Sequence, residues 1–392
     1  MSTTRITAWT LTTAAGTGRQ ANLESLRTVR GGLRACDLQG VNLDTGIGRV
    51  PGLEDLPIEG ALAPFDCRNN RLAALTLAQD GFETAVADAA RRHGADRVAV
   101  LLGTSTSGVA STEDAFRRRD AHSGELPGDY DYRHTQNMFS LAHFTATRLG
   151  LCGPALVIST ACSSSAKVFA DARRYLDAGL CDAAVVGGVD SLCQMTLYGF
   201  NALQLTAPDP CRPLDANRAG ISIGEAGGFF LLERQGSGPR LAGHGESSDA
   251  HHMSAPHPQG AGAARAMAEA LHRAGVAPDT VDYVLMHATA TPSNDLAESR
   301  ALKQVFGAPV RAVGTKGLTG HTLGAAGAVN VAQALLSLEA GFIPGTAGLV
   351  QADPALELNT RDGAQEGPVR RVLVNAFGFG GNNCSLLLEA GP

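Results

Sequence analysis

"STACSSSAKV" occupies positions 159–168, directly after the apolar run "ALVI" at 155–158. Apolar residues, a turn of small polar side chains and the start of an apolar stripe predict strand, tight turn and helix in that order. Cys162 falls at the turn. Unpaired N–H groups and the dipole at a helix start favour thiolate, so the placement predicts a lowered thiol pKa. The arrangement resembles a nucleophile elbow, in which a sharp turn presents the reactive atom. A buried structural thiol fits the same residues equally well.

Working outward, similar apolar runs recur at "RVAVLLG" (97–103), "DAAVVGG" (182–188), "DYVLMHA" (282–288) and "VRAVGTK" (310–316). Most end in Gly or Ser/Thr turns, and they alternate with helical patterns at 70–93 and 263–275. This order predicts the buried strands of an α/β protein. A faint internal repeat relates 165–183 to 327–345. Both begin with small residues, carry an apolar stripe and end acidic-Ala-Gly, with Gly179 and Gly341 where a helix C-cap wants glycine. "GEAGGFFLLE" (224–233) and "GGNNCSLLLE" (380–389) each close a half with an apolar strand. Two α/β halves of related topology are expected, 1–240 carrying the cysteine and 241–392 carrying two histidines.

The 392 residues have a net charge of -6 with both signs dispersed, which argues against nucleic acid or an anionic membrane as the main partner. No apolar segment is read as a bilayer span of roughly 20 residues, and the first residues lack a continuous apolar run. A soluble cytoplasmic protein is expected. The eight cysteines contain no C-x-x-C pair, so all but Cys162 are expected to be buried free thiols.

Two later segments weigh on Cys162. "LMHATATPSND" (285–295) puts His287 after an apolar run, followed by Thr289 and Thr291. "VGTKGLTGHTLGAAGAVN" (313–330) puts Lys316 and His321 on either side of a Gly-rich turn. Either histidine alone is more often a satisfied core residue than a catalyst. Both, each ending a strand-turn unit, with a helix-start cysteine in the other half, raise the odds that Cys162 is catalytic.

"TACSSS", "HATATPSND" and "GTKGLTGHTLGAAG" resemble the active-site motifs of the β-ketoacyl-acyl-carrier-protein synthases, the condensing enzymes of fatty acid and polyketide synthesis. "CRPLDANRAGISIGEAGG" (211–228), "SDAHHMSAPHPQG" (248–260) and "NAFGFGGNNCSLLLE" (375–389) are similar to further signatures in the family's order. The resemblance implies a thiolase-like fold, two related α/β halves in a five-layer α-β-α-β-α arrangement. It implies decarboxylative Claisen condensation, with Cys162 holding the acyl group and His287 and His321 stabilising the enolate. Lys316 would position His321, with Glu298 holding the Lys316 side and Asp295 in a structural role. Phe379, between Gly378 and Gly380, would gate acyl entry and complete an oxyanion hole with Cys162. Thr289 and Thr291 would bind the phosphopantetheine arm, and Thr106 would floor the acyl pocket. Arg68, Arg71 and Arg133 would dock an acidic acyl carrier protein. No cofactor beyond the carrier's arm and no metal is implied. A homodimer is expected, with a heterodimer containing a chain-length-factor-like subunit as the alternative assembly.

Some residues depart from the family pattern. Ala288 and Ala290 replace glycines and are expected at negative φ, narrowing the pantetheine channel or acyl pocket. Asn382 replaces a common Thr, and Ile221 an aromatic. These departures bear on substrate choice between fatty acid and specialised polyketide or aryl-polyene chains. Two other functions are weighed. A non-elongating chain-length-factor-like subunit typically lacks the nucleophile, and a thiolase acting on acyl-CoA needs a second cysteine, for which Cys384 is the candidate. "GGVDSL" (187–192) imitates a phosphopantetheine attachment site but reads as a strand end. The histidine-rich 243–260 segment lacks zinc-site spacing.

Overall fold

In the strand Val98–Gly103, Val98, Val100 and Leu102 enter one apolar cluster while Ala99 and Leu101 enter another. A strand buried on both faces needs a helical layer on each side, and that requirement organises the protein. The computed structural model describes residues 4–391. Ten strands follow one another along the central sheet: β1 (Thr4–Thr13), β2 (Val98–Gly103), β3 (Ala155–Ile158), β4 (Ala183–Asp190), β5 (Ala226–Glu233), β6 (Arg240–Ser248), β7 (Tyr283–Leu285), β8 (Ala312–Val313), β9 (Arg371–Gly378) and β10 (Asn382–Glu389). Their spatial order is β8-β7-β9-β10-β6-β1-β5-β4-β2-β3.

The internal repeat is visible in this order. From one edge, β3, β2 and β4 run parallel, then β5 and β1 follow antiparallel; from the other, β8, β7 and β9 run parallel, then β10 and β6 follow antiparallel. The halves join where Thr4 and Arg5 pair with Leu241 and Arg240.

Helices α1 (Arg68–Leu77), α2 (Phe82–His93) and α3 (Ser140–Leu149) pack on the outer face of the first half. Helices α5 (Ala261–Ala274) and α6 (Pro292–Phe306) cover the outer face of the second. Between the two sheet faces lie α4 (Ser164–Asp177) and α7 (Ala326–Ala340), whose Val168, Phe169, Val331 and Leu335 share one core cluster. These are the five layers. The middle pair is the repeated helix, and Gly327 sets its closeness: a Cβ there would sit 2.5 Å from the Ala166 nitrogen. Gly179 and Gly341 take positive φ just past the two helices, as their endings predict.

Three local expectations differ. The helical pattern at 70–93 is two helices, because Asp80 and Gly81 adopt left-handed backbone between α1 and α2. β3 is a partly exposed edge strand, with Leu156 37% exposed. Leu323–Ala340 is apolar and long enough to cross a bilayer, but 89% of it lies inside the protein, so its apolarity serves the middle layer. All eight cysteines are free and six are buried; Cys36 is half-buried and Cys152 exposed.

Candidate active site

β3 runs into the turn that carries Cys162. Ala161 takes φ 53, a left-handed conformation that costs an Ala on the order of 1 kcal/mol. The sharp elbow turns the thiol inward. Helix α4 starts at Ser164, and Ser163 and Ser164 return hydroxyl hydrogen bonds to the carbonyls of Thr160 (2.9 Å) and Ala161 (2.6 Å). Gly378 passes so close that a Cβ would meet the Thr160 carbonyl at 2.7 Å and the Cys162 nitrogen at 3.1 Å. Only glycine lets the Phe379 loop reach the nucleophile. The backbone N–H groups of Phe379 and Cys162 both favour the thiolate.

That help is not enough. Burial pushes the Cys162 thiol up to about 12; Lys316 opposes the rise and the Asp190 carboxylate adds to it. The lowered pKa expected from a helix start is therefore overturned, because desolvation of a thiolate outweighs a few backbone dipoles. The resting group is a thiol.

The two imidazoles arrive from the second half and meet it. His321 Nε2 lies 3.0 Å from Cys162 Sγ. The sulfur and one nitrogen from each of His287 and His321 all lie within 4.8 Å of one another. The rings stand nearly perpendicular, with centroids 5.2 Å apart. Both are held well below the usual histidine range, first by burial and then by the Lys316 charge, so both are neutral near pH 7. A neutral imidazole carries one N–H donor and one acceptor.

Lys316 Nζ donates to the His287 carbonyl, and burial brings its pKa down to about 8. Glu298 accepts from the backbone nitrogens of His287 (2.8 Å) and Ala288 (2.9 Å) and from Asn375 Nδ2 (3.0 Å). Asp295 accepts from the nitrogens of Ala290 (3.3 Å) and Leu214 (3.1 Å) and lies 3.5 Å from Arg218 Nε. The hydrogen bonds of Lys316 and Glu298 thus go to the His287 backbone, where the sequence reading has Lys316 positioning His321. Ala288 and Ala290 sit at φ 37 and φ 67, contrary to the expected negative φ. The buried carboxylates fix the N–H directions of this loop, and the alanines accept the strain.

Thr289 and Thr291 are buried, 2.9 Å apart through their hydroxyls, and line the cavity that contains Cys162, His287 and His321. Phe379 also lines it and packs on Phe200 at 5.5 Å. Ile221, Leu205 and Phe377 complete the apolar wall. Its volume is about 60 Å³.

Other expected positions fall elsewhere. Thr106 is fully buried with its hydroxyl 2.8 Å from Asp190 and is not part of the cavity wall. Arg68 is committed to Glu225 at 2.6 and 2.8 Å and to Glu54, and Arg71 to Asp66 at 2.6 Å, so neither is a free docking cation. Arg133 is exposed. Cys384 is buried in β10 and outside the cavity wall, which leaves the thiolase reading without its second sulfur. Among the described residues, Cys162, His287 and His321 are also the one cluster of three side chains able to ligate a metal; the histidine-rich 243–260 segment forms none. Asn375 and Asn330 also belong to the site, though the sequence motifs that hold them assign them no role. Asn330 Nδ2 bridges the carbonyls of Met286 and Asn375 behind the histidines, and a buried asparagine in the apolar helix α7 was the available signal.

A cysteine on a strained elbow facing two neutral imidazoles in a buried cleft is suited to acyl transfer through a thioester. Comparisons with known proteins narrow the class. Residues 68–237 match the model of the β-ketoacyl synthase N-terminal domain, and residues 240–350 that of the C-terminal domain. A 3-oxoacyl-[acyl-carrier-protein] synthase 2 from Synechocystis is 33% identical over 315 residues, 75% of each chain. The mitochondrial 3-oxoacyl-[acyl-carrier-protein] synthase of Arabidopsis thaliana is 36% identical over 62% of this chain and 58% of its own length. A chain from the complex of a ketosynthase (ApeO) with its chain length factor (ApeC) from Xenorhabdus doucetiae superposes with a TM-score of 0.88, at 36% identity, covering 99% of this chain and 98% of that one. The chain belongs to the β-ketoacyl synthase family, the condensing acyltransferases of the thiolase superfamily.

Proposed function

We propose that the chain joins an acyl group held on Cys162 to a malonyl unit delivered by acyl carrier protein, releasing CO2 and giving a β-ketoacyl carrier. The observation that carries this reading is the 3.0 Å approach of His321 Nε2 to Cys162 Sγ with His287 beside both. In the first step Cys162 attacks the acyl-carrier thioester; the thiol proton passes through His321 to the departing pantetheine sulfur. Because the resting thiol is a weak nucleophile, this transfer accompanies attack. In the second step malonyl-carrier protein loses CO2, and the electron pair moves onto its thioester oxygen. The N–H group of His287 stabilises that oxygen, worth about 3 kcal/mol, while His321 Nε2 faces the sulfur. The enolate carbon then bonds to the acyl carbonyl while the Phe379 and Cys162 N–H groups hold the tetrahedral oxygen. Cys162 thiolate leaves and takes up a proton from solvent. The thioester carbonyl is itself the electron acceptor, so the chemistry calls for no separate cofactor.

Thr289 and Thr291 would hydrogen-bond the pantetheine arm. Ligand sites usually span about 300–1,000 Å³, so the 60 Å³ cleft supports a gate in which Phe379 leaves Phe200 when acyl chains enter. Arg133 remains the docking candidate for the acidic carrier.

We assign a specialised polyketide or polyene chain rather than membrane fatty acids, and a chain-length-factor-like subunit as partner. The support is the near-complete match to a chain of the ApeO–ApeC complex and, at 27% identity, to a chain of the ishigamide ketosynthase/chain length factor. The exposed edge β3 offers unpaired backbone and Leu156 to such a partner. Incubation with malonyl- and acyl-carrier proteins, with and without a co-expressed partner, tests the reading: CO2 and β-ketoacyl product are expected, and acyl exchange without CO2 release would overturn it.

A further inference from the structure

Asp190, at the end of β4, is a fully buried carboxylate near the thiol for which the condensation steps have no use. It belongs to the "GGVDSL" stretch. Its Oδ1 accepts from Thr104 Oγ1 (2.6 Å), the Ser105 nitrogen (2.8 Å), the Thr106 nitrogen (2.9 Å) and Thr106 Oγ1 (2.8 Å). Its Oδ2 accepts from Ser105 Oγ (2.5 Å) and the Gly324 nitrogen. Among the described residues, no Lys, Arg or His lies within ion-pair distance of it. A buried carboxylate without a cation is tolerable only when hydrogen bonds replace its hydration, and here six donors do so.

One donor comes from the other half of the molecule. Gly324 lies three residues after His321, in the short 3-10 turn Leu323–Ala325 that leads into α7. A Cβ at Gly324 would sit 2.7 Å from Asp190 Oδ2 and 2.8 Å from the Ser105 nitrogen, so the contact requires glycine. The His321 backbone is tied to the same half twice more, by its nitrogen to the Ser222 carbonyl (2.7 Å) and its carbonyl to the Gly224 nitrogen (3.0 Å). The turn bearing His321 is thus sequence from the second half clamped onto the first, where Cys162 resides.

We propose that Asp190 is a positioning residue of the condensation, its carboxylate fixing the His321–Gly324 turn on the nucleophile's half and so setting the imidazole against the thiol. An amide cannot replace it, because each oxygen accepts from at least one backbone N–H, which an NH2 in its place would face. Its charge has a second consequence, since it adds to the burial that holds the Cys162 proton in place. Loss of the carboxylate therefore loosens His321 and makes the thiol more acidic together.

The proposal rests on the condensing reading, and the test separates the two. Condensation kinetics, thermal unfolding and the pH profile of Cys162 alkylation by iodoacetamide are measured for Asp190→Asn and Ser105→Ala. For Asp190→Asn, kcat should fall about tenfold or more with little change in KM, and the alkylation profile should move to lower pH by about one pH unit. Ser105→Ala keeps the charge but removes a hydroxyl that also accepts from the Gly324 nitrogen at 3.1 Å. It should lower kcat about threefold with the profile unmoved. A folded Asp190→Asn protein with the parent's kcat and profile would overturn the proposal. So would a loss of kcat matching its loss of folded protein, with the profile unchanged; if Asp190→Asn does not fold, Ser105→Ala at the parent's kcat does the same. A parent that alkylates at Cys162 but never condenses would sink the condensing reading, while the Asp190→Asn profile would still report the carboxylate's coupling to the thiol.

Discussion

The two imidazoles sit 5.2 Å apart, yet they are held from different halves of the molecule. His287 belongs to a strained loop of its own half, where Glu298 and Asp295 take the N–H groups and Lys316 takes a carbonyl. His321 is strapped to the opposite half by backbone hydrogen bonds to Ser222 and Gly224. One ring is placed by charged groups of its own half, the other by main-chain hydrogen bonds and a carboxylate of the nucleophile's half. The contrast suggests a division of labour. His321 keeps register with the sulfur, and His287 serves the oxygen of the incoming malonyl thioester.

Removing the sulfur that both rings face sets the scale: Cys162→Ala should lower condensation by about 10⁴-fold or more, read as β-ketoacyl product per minute. The histidine variants then sharpen the contrast. His321→Ala and His287→Ala should each cost about 10²–10³-fold in condensation. Self-acylation of Cys162 should fail with the first and stay within about threefold of the parent with the second. Equal acylation defects would erase the division of labour.

Lys316 gives a pH signature. With its pKa near 8, its charge disappears above that pH and condensation should decline through pH 8–9. With both rings well below 6.5, no limb should appear near pH 6.5. Stability moves the other way. The folded pKa lies below the ordinary lysine value of 10.5, so between about 8 and 10.5 the unfolded chain binds more protons at this site, and its contribution to stability rises with pH. A pH–rate profile alongside melting curves checks both signs.

Smaller effects test the charged scaffold. Glu298→Gln turns an amide toward three donors and should destabilise by about 2 kcal/mol, seen as a lower denaturant midpoint. Ala290→Gly relieves positive φ and should raise the melting temperature slightly, by about 1 kcal/mol or less after the added chain entropy. A fall would show that packing of the methyl group outweighs the strain.

Much of this was legible in the sequence. Strands buried on both faces read as continuous apolar runs, and the repeated helices announced the duplication that the strand order displays. The motif order singles out Cys162, His287 and His321, which the fold brings into one cleft. What stayed hidden depends on tertiary contact. Nothing in "STACSSS" tells how deeply the thiol is desolvated, and nothing in "HATATP" tells that carboxylates from the following helix force alanines to positive φ. Arg68 looks like any exposed arginine until Glu225, 157 residues away, closes on it.

Mass measurement of the intact protein through one turnover tests the central claim directly. After mixing with acyl-carrier protein, the acyl mass should appear on the peptide containing Cys162. It should vanish on addition of malonyl-carrier protein, in step with CO2 release. Acyl mass on another residue, or CO2 and β-ketoacyl product formed while Cys162 stays unmodified, would contradict a thiol that shares its cleft with two imidazoles in order to build carbon–carbon bonds.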